Sequence, residues 1–473
     1  MPPLRTFRAV TVGLVLALIG LGPVAGATAP PQTDPVSAAQ LGQQAYDYGL
    51  PLLEFLRVRR EMTSVPCPDS LGNSPVNTFS NLKAFADPSA RTVVAPNTDT
   101  LYSIAHLDLS RGPIVLRHPA MGTRYYSFAM LDPFTNVLAT PGTREDGSAA
   151  AAIVVRWAGH LGTAPVPRGA RVVESPYRRL WVIGRTLAGD QADQQRAYHL
   201  MQQYSLSQTD GSRPTFRATC LPGHPSTYPV PTDGPGFVAA LNAGLAENPP
   251  PAQDAPLLSA LRPYGIGAGL SPDTAGLDPT TKAALYQGVS TEATALPLGA
   301  KVTPLVTAAQ HHGWYLPPSN IGAYGTDYKY RAQIALLGLG ANTPAEAIYP
   351  AGLADTNGLP YYGANNYRLT FTKDQEPPAR FFWSLTMYDF SGYLVANEAH
   401  RYSVGPSHPR FLRQADGSIV IAVQHTAPTD PSVNWLPAPT GQFRLNLRLY
   451  GPSQDAIKGV WSPPGVQNLG PSH

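Results

Sequence analysis

Residues 125–132 read Tyr125-Tyr126-Ser127-Phe128-Ala129-Met130-Leu131-Asp132, and residues 382–389 read Phe382-Trp383-Ser384-Leu385-Thr386-Met387-Tyr388-Asp389. Aromatics, serine, methionine and aspartate stand at the same offsets in both. Such aromatic-rich, mostly apolar runs are strands. Each is followed by an Asp-Gly-Ser turn (146–148 and 416–418) that leads toward an apolar strand. Each block then closes on a basic-apolar strand, 178–185 (RRLWVIGR) and 443–450 (FRLNLRLY). In the second of these, Phe443, Leu445, Leu447 and Leu449 alternate with Arg444, Asn446, Arg448 and Tyr450, giving one dry and one wet face. Residues 418–424 and 367–372 alternate in the same way. Three features in one order predict a duplicated β domain; the alternative is two unrelated sheets of similar composition. The expected class is α+β, with two related antiparallel β-sandwich or jelly-roll-like domains.

Around these blocks the period changes. Over 37–62, Leu41, Ala45, Leu52, Phe55 and Leu56 recur near a helical period, with Pro51 as a kink. Asp190 reads as an N-cap before Ala197, Leu200, Met201 and Tyr204. Residues 205–345 are rich in Ala, Gly and Pro, with helices expected at 237–245, 256–261, 280–286, 302–312 and 330–339. The expected organisation is a leader over 1–27, an N-terminal helix plus first β domain over 28–205, a helical middle over 206–345 and a second β domain over 346–473.

Of 473 residues, 14% are charged and 43% hydrophobic, and the net charge is +3. That balance is the opposite of a disordered chain or one that coats nucleic acid. The 51 prolines and 43 glycines lack a three-residue period, which suits a loop-rich globular fold. Arg5 and Arg8, the apolar run over 9–22 and Ala25-Gly26-Ala27 form the three parts of a secretory signal peptide, with cleavage near Ala27. An anchor is the other reading, but about 14 apolar residues are too few to span comfortably. No long apolar run follows, so no transmembrane segment is expected in the mature chain. Cys67 and Cys220 are the only cysteines, and in an exported protein an even count invites a disulfide; two separate thiols are the alternative.

The chain resembles the tandem domain-of-unknown-function families numbered 1254 and 1214. The first is matched by 94–103 (VAPNTDTLYS), Arg124-Tyr125-Tyr126 and 181–185 (WVIGR). The second is matched by 382–389, by 434–439 (NWLPAP), by Leu447-Arg448-Leu449-Tyr450 and by Trp461-Ser462-Pro463-Pro464, and the linking segment 324–342 also fits. The resemblance covers nearly the whole mature chain. It implies export and β-sandwich-like halves with a helical insert, and it implies no settled activity.

The chemical motifs are mostly absent. There is no G-x-S-x-G, P-loop, complete G-x-G-x-x-G or H-E-x-x-H, so no cofactor is expected. Ser80-Asn81-Leu82-Lys83 matches S-x-x-K with no K-T-G anywhere to follow it. The histidines show no metal-ligand spacing, so no metal is expected, and His106 within a strand reads as structural.

What remains is polar and aromatic. Asp99, Asp132 and Asp389 are the candidate acid-base carboxylates, although an aspartate leaving a strand more often caps a turn. Asn97, Tyr102, Tyr125, Tyr324, Arg331, Trp383, Tyr388 and Trp435 are the candidate binding residues. Arg331 can hold a carboxylate in fork geometry, and Trp435 offers a stacking platform or a core plug. All are expected to converge on one cleft between the two β domains. The expected function is a hydrolase or lyase acting on a carbohydrate-like or other small polar ligand. The alternative is a non-catalytic binding or cell-surface protein, and homo-oligomers through sandwich edges or faces remain open.

Overall fold

The computed structural model describes residues 36–91, 94–159, 166–213, 227–471. The chain divides into the units Met1–Ser37 and Ala38–His473, and every helix and strand named below belongs to the second. The expected leader and Cys220 lie outside the described residues.

In the first β domain the strands are β1 (Thr100–Asp108), β2 (Ile114–His118), β3 (Tyr126–Leu131), β4 (Val137–Ala139), β5 (Ala151–Trp157), β6 (Arg171–Ser175), β7 (Arg179–Leu187) and β8 (Ser205–Gln208). They form two sheets, ordered β1-β7-β3-β4 and β6-β5-β2-β8. In the second domain β9 (Ala351–Gly352), β10 (Asn365–Phe371), β11 (Ala379–Asp389), β12 (Ser403–Val404), β13 (Ile419–Gln424), β14 (Asn434–Pro437), β15 (Gln442–Pro452) and β16 (Gln467–Pro471) follow. Their orders are β9-β15-β11-β12 and β14-β13-β10-β16. Each of these sixteen strands has its counterpart eight labels later, while the two-residue strand Ser80–Asn81 adds to the β1 sheet and Trp314–Tyr315, Ala347–Ile348 and Tyr361–Tyr362 add to the β15 sheet. The register agrees as well: Ser127 lies opposite Arg185 in the first domain and Ser384 opposite Arg448 in the second. The echo is a duplication.

One detail departs from the antiparallel expectation. β5 pairs β6, and β13 pairs β14, in parallel. Parallel neighbours cannot be joined by a tight hairpin, so a loop returns the chain to the same end of the sheet in each domain.

Each domain closes its core between its two sheets. Tyr126, Phe128 and Met130 of β3 point into one core and Trp383, Leu385 and Met387 of β11 into the other. The opposite face of β3 is apolar too, because α1 (Ala38–Thr63) covers it: Phe55 packs with Ala129, Leu131, Trp181 and Ile183. A second helix, α2 (Gln191–Met201), is capped by Asp190, whose side chain accepts from the Asp193 N–H.

The helical middle contains α3 (Gly234–Glu247), α4 (Pro279–Ala308) and α5 (Tyr328–Leu337), with a short helical stretch Ala255–Leu261. Where the sequence predicts two helices at 280–286 and 302–312, α4 is one helix of 30 residues. Its Pro297 and Pro304 are seven apart and share a face, so the missing N–H groups fall on one side and the helix continues. α4 crosses α1 at glycine: a Cβ on Gly288 would lie 2.0 Å from the Ala39 carbonyl oxygen.

Candidate functional site

Residues 95–99 leave the first domain and are received by the second. Ala95 holds φ at 53°, and the Asn97 side chain accepts from the Asp99 N–H at 2.6 Å, an Asx-turn. The same Asn97 donates through Nδ2 to Tyr450 Oη at 2.7 Å, so turn and cross-domain contact coexist. Arg448, buried on β15, donates to the Ala95 carbonyl at 2.8 Å and to Thr386 Oγ1 and Tyr388 Oη. Tyr388 Oη in turn donates to the Pro96 carbonyl at 2.6 Å. Backbone that would otherwise be buried without partners is thereby satisfied.

Asp99 is wholly buried at the end of this loop. Its Oδ2 accepts from Ser384 Oγ at 2.7 Å, and its Oδ1 is 2.9 Å from His408 Nε2. Burial alone would raise the Asp99 carboxyl. The hydrogen bond and charge of His408, with Arg448 and Ser384 behind them, outweigh it and hold the group below its ordinary value. Asp99 is therefore a standing anion that orients His408.

The internal duplication supplies a comparison inside the same molecule. Thr100 pairs with Leu187 and Ala347 with Tyr450, and Leu187 and Tyr450 each stand two residues after the paired arginines. Asp99 and Glu346 thus occupy equivalent positions. Glu346 is also wholly buried, accepting from Tyr125 Oη at 2.6 Å and from Arg144 Nε at 2.6 Å. Each carboxylate is received across the domain boundary, and each meets a base from the same turn. That turn begins at Gly142 in the first domain and Gly405 in the second. Both glycines press on the echo serine's strand, where a Cβ would come 2.5 Å from the Tyr126 carbonyl oxygen and 2.3 Å from that of Trp383. From the first turn comes Arg144, a guanidinium; from the second comes His408, an imidazole.

Beside His408 lies a cleft of about 380 Å³ between the domains. Thr98, Gly189 and Gln194 line it from the first domain, and Arg401, His408 and Arg410 from the second. Its lining holds no Asp or Glu. Burial and the neighbouring charge of Arg410 both push Arg401 down, as an uncompensated cation pair requires. Two lining residues, His400 and Arg410, hold positive φ of 48° and 63°, unusual for residues with a Cβ. A larger cavity of about 550 Å³ lies near Asn77, Asp108 and Arg213, and no site is assigned to it.

The sequence-derived candidates divide among several places. Asn97, Asp99 and Tyr388 come together as above. Tyr125 holds Glu346, and Tyr102 stacks on Arg185 at 5.5 Å. Asp132 follows β3 directly and Asp389 is the last residue of β11, and neither meets the other or Asp99. Each accepts the N–H four residues on, from Asn136 and Tyr393, both at 2.9 Å, so each caps the turn after its strand. Asp389 is five residues from Ser384, about 16 Å along β11, too far for an acid-base partnership with Asp99. Trp383 is a core residue whose Nε1 donates to Glu376. Trp435 donates to the Gln424 carbonyl, and its own carbonyl accepts from Arg401 at 3.0 Å, at the edge of the cleft. Tyr324 packs on Tyr330, away from the cleft, and Arg331 lies buried among Tyr48, Phe134 and Tyr328. The expected single cleft is thus several separate polar clusters. Sequence reasoning missed His408, Arg401, Arg410 and Glu346. Ser384 and Arg448 were visible as members of the repeated strands, but without a role.

Two families match the chain: one described as "Protein of unknown function (DUF1254)" over residues 76–208, and one described as "Protein of unknown function (DUF1214)" over residues 346–454. No curated protein matches. Among solved structures, the VPA0106 protein from Vibrio parahaemolyticus is similar at TM-score 0.66 and 20% identity, with 92% of this chain and 100% of that chain covered. An uncharacterized protein from Burkholderia cenocepacia aligns at TM-score 0.45 and 15% identity over 91% of this chain and 93% of that one. At these identities the first likeness shows the fold alone.

Proposed function

Starting from a chain that belongs to the tandem DUF1254 and DUF1214 family, we propose that it is an exported protein that captures a small anionic ligand in the interdomain cleft. The observation that carries this reading is the lining itself: Arg401, Arg410 and His408 face one cleft without an acid among them. Guanidinium groups with no carboxylate beside them favour an oxyanion, above all a carboxylate held in fork geometry. A sugar acid or short dicarboxylate meets that description better than a neutral sugar. Export rests on the signal-peptide pattern of residues 1–27. Among the described residues, no helix is long and apolar enough to cross a membrane. A Cys67–Cys220 disulfide belongs to the same reading of the compartment.

Calorimetric titration with a panel of sugar acids and dicarboxylates, with the matching neutral sugars as controls, tests the proposal. Acidic compounds should bind, and Arg410→Ala should weaken them about ten-fold or more while leaving the melting temperature unchanged. Equal binding of neutral and acidic compounds, or none of either, would refute it.

One observation favours chemistry at the same place. A buried carboxylate behind an imidazole is the arrangement of an oriented base. The cleft offers no second carboxylate, which disfavours two-carboxylate glycoside hydrolysis and leaves a lyase-type proton abstraction by His408. Turnover of a bound compound that His408→Asn abolishes, with binding retained, would support it; turnover unchanged in that variant would remove it.

A further inference from the structure

Arg331, on the first turn of α5, has no exposed surface, and its Nε, Nη1 and Nη2 all lack a hydrogen-bond partner among the described residues. The rings of Tyr48, Phe134 and Tyr328 stand 5.5, 5.7 and 5.1 Å from its guanidinium carbon. Cation–π contact holds the plane of the group but leaves its five N–H donors unmet. Two further orphans lie close by. Tyr48 Oη and Asp254 Oδ2 are buried and unpaired, while Asp254 Oδ1 is taken by Tyr328 Oη at 3.1 Å. Asp254 and Arg331 both act electrostatically on Tyr48, which places the three groups together.

Buried donors left unmet are costly, and a fully buried charged one demands an occupant. The hydrogen-bond inventory decides its kind. Five N–H groups and a hydroxyl face the one free oxygen of Asp254, while Asp132, which also acts on Arg331, already accepts from Asn136 through both oxygens, so the occupant must accept more than it donates. Water donates as often as it accepts and leaves the surplus in place. A carboxylate accepts through both oxygens and matches the planar fork. The geometry points to an enclosed site at Arg331 for a small carboxylate of formate or acetate size, with Tyr48 Oη donating to it. Burial raises Asp254 toward its neutral form, which lessens repulsion beside a bound anion. The site shares no residue with the interdomain cleft, so the two proposals stand or fall separately.

The test uses the whole mature protein, titrated with sodium formate and sodium acetate against sodium chloride at matched ionic strength. The melting temperature should rise saturably with either carboxylate. Tyr48→Phe should weaken the apparent affinity about five-fold. Arg331→Met should abolish the response, and Arg410→Ala should leave it unchanged. A high-resolution structure of the loaded protein should show the carboxylate paired with both Nη groups. Water alone on the guanidinium, binding at crystal concentration only, or an undiminished response in Arg331→Met would overturn the assignment. Should Arg331→Met fail to fold, Tyr48→Phe and the loaded structure decide the matter.

Discussion

Replacing Asp99 by asparagine keeps the shape of the side chain and removes the charge on which the domain junction is built. The wild-type carboxylate accepts from Ser384 at 2.7 Å and meets His408 at 2.9 Å, with no exposed surface. Loss of the charge-assisted bond removes about 1.5–3 kcal/mol, and weakening of the hydroxyl bond about 0.5–1.5 kcal/mol. Arg448, also buried, is left with less compensation. The expected destabilisation is therefore about 3–4 kcal/mol. Asp389→Asn is the control. Its side chain is a third exposed and 3.4 Å from Arg91, and an asparagine oxygen can still accept from the Tyr393 N–H, so it should cost less than about 1 kcal/mol. Urea denaturation of both variants at pH 7 provides the comparison. pH adds a second axis. Asp99 is held below its ordinary value in the folded state, so its contribution is present above the unfolded value near 3.9 and lost as the pH falls through the folded one. Wild type should lose this increment on acidification, and Asp99→Asn should lack it from the start. If the two variants unfold within about 1 kcal/mol of each other, the buried pair is not what joins the domains.

Burial pushes Asp132 up to about 6. The stability tied to its protonated form is complete below about 3.9 and lost as the pH rises through 6, and a carbon-detected NMR titration should find the midpoint there. Gly405→Ala brings a Cβ within 2.3 Å of the Trp383 carbonyl oxygen, and should lower stability by about 1–3 kcal/mol in calorimetry and weaken anion binding by displacing His408. Thiol titration of the denatured, unreduced mature protein should find no free Cys67 or Cys220; two reactive thiols would exclude the disulfide. Mass spectrometry of the exported protein should place the mature N-terminus just after Ala27, and an intact Arg5–Arg8 segment would contradict the signal-peptide reading.

The duplication was legible because strands that share a core repeat their side-chain pattern. Tyr126, Phe128 and Met130 and their counterparts Trp383, Leu385 and Met387 must all fill the space between two sheets. The register then carries Ser127 and Ser384 opposite their arginines without further instruction. The terminal aspartates, Asp132 and Asp389, were open to two readings, an acid-base carboxylate and a turn cap. Each stands where its strand ends and accepts the N–H four residues on, from Asn136 and Tyr393, so it is the turn that uses the carboxylate. His408 could not be found from sequence at all. It meets Asp99 only because the turn at Gly405 packs against the strand carrying Ser384, a contact between segments with no shared motif. Arg401 and Arg410 were hidden likewise, since their force comes from the missing acids around them, and absence in space leaves no mark in sequence.

The two halves also build their junctions from different partners. Reciprocal insertion places an acid from each domain against the other domain's echo strand: Asp99 against Ser384, and Glu346 against Tyr125. A buried acid must have a partner, and the Gly142 and Gly405 turns supply one each. Arg144 remains charged at any pH the protein meets, so its pair with Glu346 can only hold the domains together. His408 is an imidazole with a second ring nitrogen beyond the one that meets Asp99, and it is also the member that lines the acid-free cleft. Under the proposed function, the duplicated frame keeps one copy of the pair as a fastener and leaves the other beside the cleft. The part of the molecule in which the symmetry is broken is the part in which a function is to be sought.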